Sequence, residues 1–160
     1  MVFNRTYYEL EQKNIEFLVS HHIKFTQVQI TPTGLKKNIL DATTPMRAYF
    51  LENGIHNYNE QPQGPENKLF CKTVILSANQ AFDTITSFYR PNSKKGDPRL
   101  WIYDLKNYCC GNDIYALFWE YNTLFSINIT RTDIEECVNS VIDNPIKSII
   151  SHIYSTQTSS

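Results

Sequence analysis

The spacing of hydrophobic residues in the first third of the chain predicts helices interrupted by a short strand. An apolar stripe predicts a helix over residues 4–19, which Asn4 caps. Clean alternation of apolar and polar residues predicts a strand over residues 23–30. The next predicted elements are a turn at residues 31–34, one or two helical turns at 35–42, and a helix at 44–54, with a strand at 46–51 as the alternative to that helix.

From residue 68 onward the pattern is typical of β-structure. Runs rich in β-branched and aromatic residues are separated by short sequences of turn-forming residues. Only Tyr121 and Asn122 separate the last two runs, which predicts a hairpin. The predicted strands cover residues 69–77, 82–90, 99–105, 113–120 and 123–130.

The C-terminal part returns to a helical pattern. Thr132 and Glu135 have the spacing of a capping box in front of an apolar stripe, and Pro145 separates that helix from a second one. Residues 155–160 are typical of a polar tail or linker. The order of helix, mixed β-structure and helix predicts a single α+β, mainly β domain over residues 1–154. Its expected architecture is a mostly antiparallel open β-barrel flanked by N- and C-terminal helices.

Composition narrows the class of protein. A chain of 160 residues with 41% hydrophobic content is long enough to bury one core. It has no run of about eighteen apolar residues, and its N-terminal sequence becomes charged at once, so we expect a cytoplasmic protein. The four cysteines form no C-x-x-C pair and have no histidine at ligand spacing, so we expect no zinc site.

Charge is distributed unevenly along the chain. Residues 24–106 carry eleven cations and seven carboxylates, whereas residues 107–160 carry two cations and six carboxylates. A basic middle makes nucleic acid a candidate partner for one face of the domain. The acidic end leaves open an alternative, a protein-interaction module with its partner site on the C-terminal helices.

A magnesium-dependent nuclease of the PD-(D/E)-x-K kind is a further alternative. Such a site needs two carboxylates for Mg²⁺ and a lysine two positions after the second carboxylate, on the same face of a strand. The candidate sets are Asp83, Asp104 and Lys106 and, at a second place, Asp41, Glu66 and Lys68. This spacing arises by chance in most chains of this size, so we expect no catalytic residue and no cofactor, and Mg²⁺ belongs only to the alternative.

Two polar segments hold the side chains best suited to nucleic acid. Residues 90–99 combine cations with turn residues, and clustered cations suit phosphate contacts because neutralising phosphates releases counterions; a merely solubilising loop is the alternative. Residues 56–68 add amides and a phenol, which can hydrogen-bond base edges. The candidate phosphate contacts are Arg47, Lys68, Lys94 and Lys95. The candidate base contacts are Asn57, Tyr58, Gln61, Arg90, Asn92 and Arg99, with Asp97 orienting Arg99 or accepting from a cytosine amino group. Capping of the loop in "GDP" is the alternative role of Asp97.

One long stretch resembles a known family. The run "ITSFYRPNSKKGDPRLWIYDLKNYCCGNDIYALFWEYNTLFSINIT" is similar to the second half of the DNA-binding pseudobarrel domains at the N-terminus of restriction endonucleases, a fold shared by EcoRII-type effector-binding domains and plant transcription factors of the B-three class. The shared features are the basic turn, "GDPRLWIYDL", the turn at residues 111–113 and a closing apolar hairpin. Upstream, "GIHNYNEQPQGPENK" resembles a segment in front of nuclease domains of the MvaI/BcnI kind.

This resemblance, over residues 24–130, implies a β-barrel that grips the major groove of double-stranded DNA with two arms and has no catalysis of its own. The second arm falls at residues 90–99, and the first comes from residues 31–68. The chain departs from the family at "ITPTGLKKNILDATTPMRAYF", which is more apolar and helical than the polar, Gly-rich run of EcoRII-type domains. The expected function is sequence-specific DNA recognition in a restriction or defence protein, next to a fused or separate nuclease domain.

Overall fold

The fold combines five α-helices with seven strands in the part of the chain that the structure describes. The structure is a computed structural model that describes residues 5–158, and the side chains at positions 5, 6, 94 and 155–158 are outside the description. The predicted α+β class is confirmed. The elements are α1 (Arg5–Ser20), β1 (Thr26–Gln29), α2 (Pro32–Lys37), β2 (Leu40–Asp41), α3 (Thr44–Glu52), β3 (Leu69–Ser77), β4 (Gln80–Tyr89), β5 (Arg99–Ile102), β6 (Ile114–Glu120), β7 (Thr123–Asn128), α4 (Ile134–Asn139) and α5 (Pro145–Thr158).

The seven strands form one mixed sheet in the order β1-β6-β7-β3-β4-β5-β2. The central pair β3 and β7 is parallel, and the other neighbouring pairs are antiparallel. The two edge strands send Val28 and Leu40 into the same hydrophobic cluster. Because opposite edges of the sheet meet one core, the sheet is curled into a half-barrel.

Hydrophobic layers pack on both faces of this sheet. The inner cluster holds Met46 and Phe50 of α3, and the outer cluster holds Leu18 of α1 and Ile150 of α5. Strand β6 serves both layers, since its residues alternate between them. This double burial explains why its sequence, "IYALFWE", is an almost continuous apolar run.

Tyr49 fixes α3 inside the half-barrel. Its buried hydroxyl donates a hydrogen bond to the carbonyl of Lys24 (3.1 Å) and accepts one from the backbone amide of Trp119 (2.8 Å). Burial raises the pKa of Tyr49 to about 12, so the phenol stays protonated at neutral pH. These bonds position the outer surface of α3, which carries Arg47.

The strand predictions are confirmed with small shifts of their ends. The bounds of β3 agree with the prediction, and the hairpin at Tyr121 and Asn122 is present, with φ of 54° and 55° at the two turn residues. Positive φ at both positions is the geometry of a type I′ turn, which matches the twist of the flanking strands. The strand predicted over residues 23–30 is shorter, because only Thr26–Gln29 pairs with β6.

Three predictions about helices are corrected. The expected turn at residues 31–34 begins α2, because the Thr31 side chain accepts from the amide of Gly34 (3.0 Å) and Pro32 occupies the first turn. The alternative strand at 46–51 is wrong, since α3 covers it. Asp133, not Thr132, caps α4 by accepting from the amide of Glu136 (3.0 Å).

The described residues include most of the predicted N-terminal helix and part of the predicted C-terminal tail. The helix over residues 4–19 is confirmed as α1, while the proposed cap Asn4 is outside the described residues. At the C-terminus, α5 continues through Thr158, so residues 155–158 are helical and the rest of the predicted tail, 159–160, is outside the description. None of the described helices is both long and apolar enough to cross a membrane.

Candidate nucleic-acid interface

The two polar segments singled out by sequence lie against each other at one end of the sheet. We call residues 56–68 the amide loop and residues 90–98 the basic loop. The amide of Gly64 donates to the carbonyl of Arg90 (2.7 Å), and Arg90 Nη1 donates to the carbonyls of Tyr58 (3.5 Å) and Gln61 (3.3 Å). Arg90 Nε closes the basic loop on itself through the carbonyl of Gly96 (2.9 Å). Arg90 therefore joins the loops instead of projecting as a free cation.

Gly96 marks a second close approach between the loops. Its φ is +70°, and a Cβ atom there would lie 2.7 Å from Nε2 of Gln63 in the amide loop. A larger residue would be strained by its backbone, while the exposed Gln63 side chain could move aside. Gly96 therefore permits the positive-φ turn whose carbonyl Arg90 binds.

Inside the amide loop, Gln61 connects the loop to strand β4. Its Nε2 donates to the carbonyls of Asn67 (2.9 Å) and Phe88 (2.8 Å), and its Oε1 lies 2.9 Å from Nε2 of His56. Because both carbonyls can only accept, the amide orientation of Gln61 is fixed and its oxygen faces His56. His56 must then donate from Nε2, which makes it the Nε2–H tautomer. Its ring also stacks on Phe88 at a centroid distance of 4.9 Å.

This geometry corrects two predicted base contacts. Gln61 and Tyr58 are each only 4% exposed. The Tyr58 hydroxyl donates to the carbonyl of Arg99 (2.9 Å), and burial raises the pKa of this phenol. A buried amide and a buried phenol whose polar atoms are already bonded do not reach a base edge. Both side chains stabilise the loop pair from beneath.

His56 makes the stability of the loop pair depend on pH. Burial lowers the pKa of His56 from its ordinary value near 6.5, and the Gln61 hydrogen bond opposes that shift. Below pH of about 6.5 the unfolded chain takes up a proton that the folded chain resists, so stability falls as pH falls through this window. We expect the free energy of unfolding, measured with urea, to be lower at about pH 5.5 than at about pH 7.5, and we expect this pH difference to be smaller in His56→Gln. An equal pH difference in both proteins would contradict the assignment of the effect to His56.

Two half-buried candidates lie beside the joined loops. Arg47 and Asn57 line one depression of about 190 Å³ between α3 and the amide loop. Arg47 donates to Thr44 Oγ1 (2.9 Å) and to the carbonyl of Ala42 (3.3 Å), which orders its guanidinium at the surface. Asn57 caps the 3₁₀ turn Tyr58–Glu60 by accepting from the amide of Asn59 (3.0 Å). The structure therefore places a predicted phosphate contact and a predicted base contact side by side.

The basic loop presents its polar groups to solvent. Asn92, Lys95 and Asp97 are exposed, and the Lys94 side chain lies outside the described residues. Arg99 is half-buried, and its Nε is buried without a hydrogen-bond partner in the described part of the chain, so Asp97 does not orient Arg99 through that atom. Lys68, at the end of the amide loop, holds its ammonium 4.9 Å from the ring centroid of Tyr89.

The nuclease candidates do not share a strand face. Strand β5 ends at Ile102, Asp104 follows with φ of 63°, and Lys106 lies in the 3₁₀ turn Leu105–Asn107. The spacing argument for Asp104 and Lys106 is therefore wrong, because it required an extended strand through both residues. Asp83 is exposed on β4. Among the side chains described, no three His, Cys, Asp or Glu residues are grouped closely enough to hold a metal ion.

Sequence reasoning missed the residues that hold the site together. His56 and the glycines at positions 64 and 96 did not enter the candidate set. The sequence did carry a usable signal, because a glycine in a polar loop often marks a position of positive φ; in the structure Gly64 and Gly96 adopt φ of 115° and 70°.

No family model, curated protein sequence or solved structure matches this chain.

Proposed function

We propose that this chain binds double-stranded DNA through the amide loop and the basic loop, as the recognition domain of a restriction or related defence protein. The observation that carries the proposal is the joining of the two loops by Arg90 and Gly64, which makes one surface of two segments separated in sequence. Arg47, the two loops and Arg99 together carry six cations and three carboxylates. A net positive surface of this kind suits a phosphate backbone.

In this proposal the half-barrel is a pseudobarrel of the DNA-binding kind. The basic loop acts as one arm in the major groove and the amide loop, extended by Arg47 of α3, acts as the other. Asn57 and Asn92 read base edges, and their side-chain amides suit adenine. Phosphates are contacted by Arg47, Lys68, Lys94 and Lys95. The domain has no catalysis of its own, and strand cutting belongs to a fused or separate nuclease domain.

Selection from a pool of random duplexes tests the proposal. A sequence-specific domain enriches one motif, and cleavage with Mg²⁺ is not expected. Binding that shows no enrichment over successive rounds would limit the function to non-specific DNA binding and overturn the recognition role. No binding to any duplex at low salt by a folded protein would favour a protein-interaction module on the C-terminal helices.

Removing a cation from the basic loop or from the adjacent surface of α3 is expected to weaken duplex binding about equally for all sequences. Lys95→Gln and Arg47→Gln should each lower affinity by about tenfold, because a hydrogen bond to a charged group contributes roughly 1.5 kcal/mol. Asn92→Ala should instead reduce discrimination between sequences. Fluorescence anisotropy with the selected duplex and a scrambled duplex measures both effects.

Lys13→Gln is the matched control for these variants. Lys13 lies on α1 and pairs with Asp133 of α4 (2.7 Å), on the helical side of the sheet. It should leave duplex affinity unchanged. An equal loss in Lys13→Gln and Lys95→Gln would show that binding follows overall charge and would contradict the loop surface as the site.

A further inference from the structure

The outer face of the sheet is only partly covered by helices. The outer cluster packs on Val74 and Leu76 of β3 and on β6 and β7, whereas Phe70 of β3 and Ile85 of β4 remain 54% and 40% exposed. Phe70, Ser87 and Trp101 are paired across β3, β4 and β5 and therefore lie on one face. The open part of this face is aromatic, and the ring centroids of Phe70 and Tyr103 lie 6.3 Å apart.

A groove of about 450 Å³ runs beside these aromatic residues. It is lined by the aromatic residues Tyr89, Trp101 and Tyr103 and by the charged residues Lys37, Lys68 and Asp104. Trp101 is only 9% exposed, whereas the two tyrosines are half-buried. The Lys68 ammonium already lies 4.9 Å from the Tyr89 ring centroid. The groove thus combines aromatic rings with adjacent cations.

We propose that this groove and Phe70 form a second site, which binds single-stranded nucleic acid by stacking bases on exposed rings. Bases stack on aromatic side chains whatever their sequence, and lysines beside the rings neutralise the flanking phosphates. Charge complementarity favours a polyanion over a neutral or basic protein surface, because Lys37 and Lys68 outnumber the single carboxylate, Asp104, in the groove lining. The aromatic rings beside these lysines favour nucleic-acid bases over an acidic protein. Asp104 can accept from an exocyclic base amine. The site goes beyond duplex recognition and lies on the outer face of the sheet, where Lys68 is the residue it shares with the duplex surface.

Binding of labelled oligothymidylate and oligouridylate, each of about ten nucleotides, tests the site. Wild-type protein should bind at least one of them, and their relative affinities tell DNA from RNA. Phe70→Ala and Phe70→Leu should each weaken binding about tenfold, since one base loses its stacking partner, whereas Phe70→Trp should retain it. Phe70 is mostly exposed, so these variants fold, as thermal unfolding will verify. Tyr8→Ala, which removes an exposed aromatic residue from α1, should bind as wild type does.

Two results would overturn the second site. One is the absence of oligonucleotide binding by the folded wild-type protein at low salt. The other is retained binding by Phe70→Leu, which would indicate general apolar contact instead of base stacking. The duplex proposal is separable, because Lys95→Gln should weaken duplex binding and leave oligothymidylate binding unchanged, and Phe70→Ala should do the reverse. Oligonucleotide binding without duplex binding would leave this site standing and remove the proposed function.

Discussion

Gln61→Ala is expected to lower the free energy of unfolding by about 3 kcal/mol and to weaken duplex binding. The substitution leaves the carbonyls of Asn67 and Phe88 and the Nε2–H of His56 without their partner. Each buried polar group that loses its hydrogen bond costs about 1–3 kcal/mol, and the three groups here can relax only in part. Because Gln61 also positions the carbonyl that Arg90 binds, the two loops should separate. Urea unfolding, extrapolated to water, measures the loss.

Gln63→Ala is the matched control in the same loop. Gln63 is exposed and its side chain lies beside Gly96. Its loss should change the free energy of unfolding by less than about 0.5 kcal/mol, as is usual for a surface position. If Gln61→Ala were no less stable than Gln63→Ala, the hydrogen-bonded centre of the amide loop would not be the element that holds the interface.

Asp113→Ala, just before strand β6, is expected to lower the free energy of unfolding by a comparable amount, about 3 kcal/mol. The buried carboxylate accepts from the amide of Cys110 (2.9 Å), from Nδ2 of Asn128 (3.0 Å) and from Nε of Arg131 (2.9 Å). The Asn128 side chain stays buried after the substitution, so it loses a bond that water does not readily replace, while the amide of Cys110 loses a bond that is only partly buried. The Arg131 side chain is 36% exposed and regains water, which keeps the cost below that of a fully buried ion pair.

Asp83→Ala provides the comparison for Asp113→Ala. Asp83 is an exposed carboxylate on β4, so its removal should change the free energy of unfolding by less than about 0.5 kcal/mol. Urea unfolding of both variants under the same conditions gives the difference. A loss below about 1 kcal/mol in Asp113→Ala would contradict the account of this network.

The strands were predictable because local pattern and tertiary structure agree there. Strand β3 is a run of apolar and β-branched residues bounded by turn residues, so its ends could be read from the sequence. The start of α2 could not, because "TPTG" is equally a β-turn and a helix N-terminus until the residues after Gly34 choose between them. The cap of α4 was missed by one residue, since Thr132 and Asp133 are both good caps. Thr132 instead accepts from the amide of Ala78.

The candidate site was predictable as two polar loops, and its interior was not. An amide such as Gln61 is equally suited to a base edge and to a buried carbonyl, and contact with Phe88, far along the chain, decides between these roles. The same holds for Arg90. Its sequence context predicts a contact with DNA, whereas in the structure its guanidinium donates to the carbonyls of Gly96 and Gln61. Long-range contacts of this kind leave no periodic trace in the sequence. Asn92 and Lys95, by contrast, are exposed to solvent, so they remain candidates for contact with DNA.

The salt dependence of duplex binding counts the phosphates that the joined loops contact. Each phosphate contacted contributes a slope of about −0.9 to the logarithm of the binding constant against the logarithm of the salt concentration. Phosphate contacts by Arg47, Lys68, Lys94 and Lys95 therefore predict a slope of about −3 to −4. A slope shallower than about −2, or no duplex binding at low salt by the folded protein, would contradict the proposal that the joined loops grip double-stranded DNA.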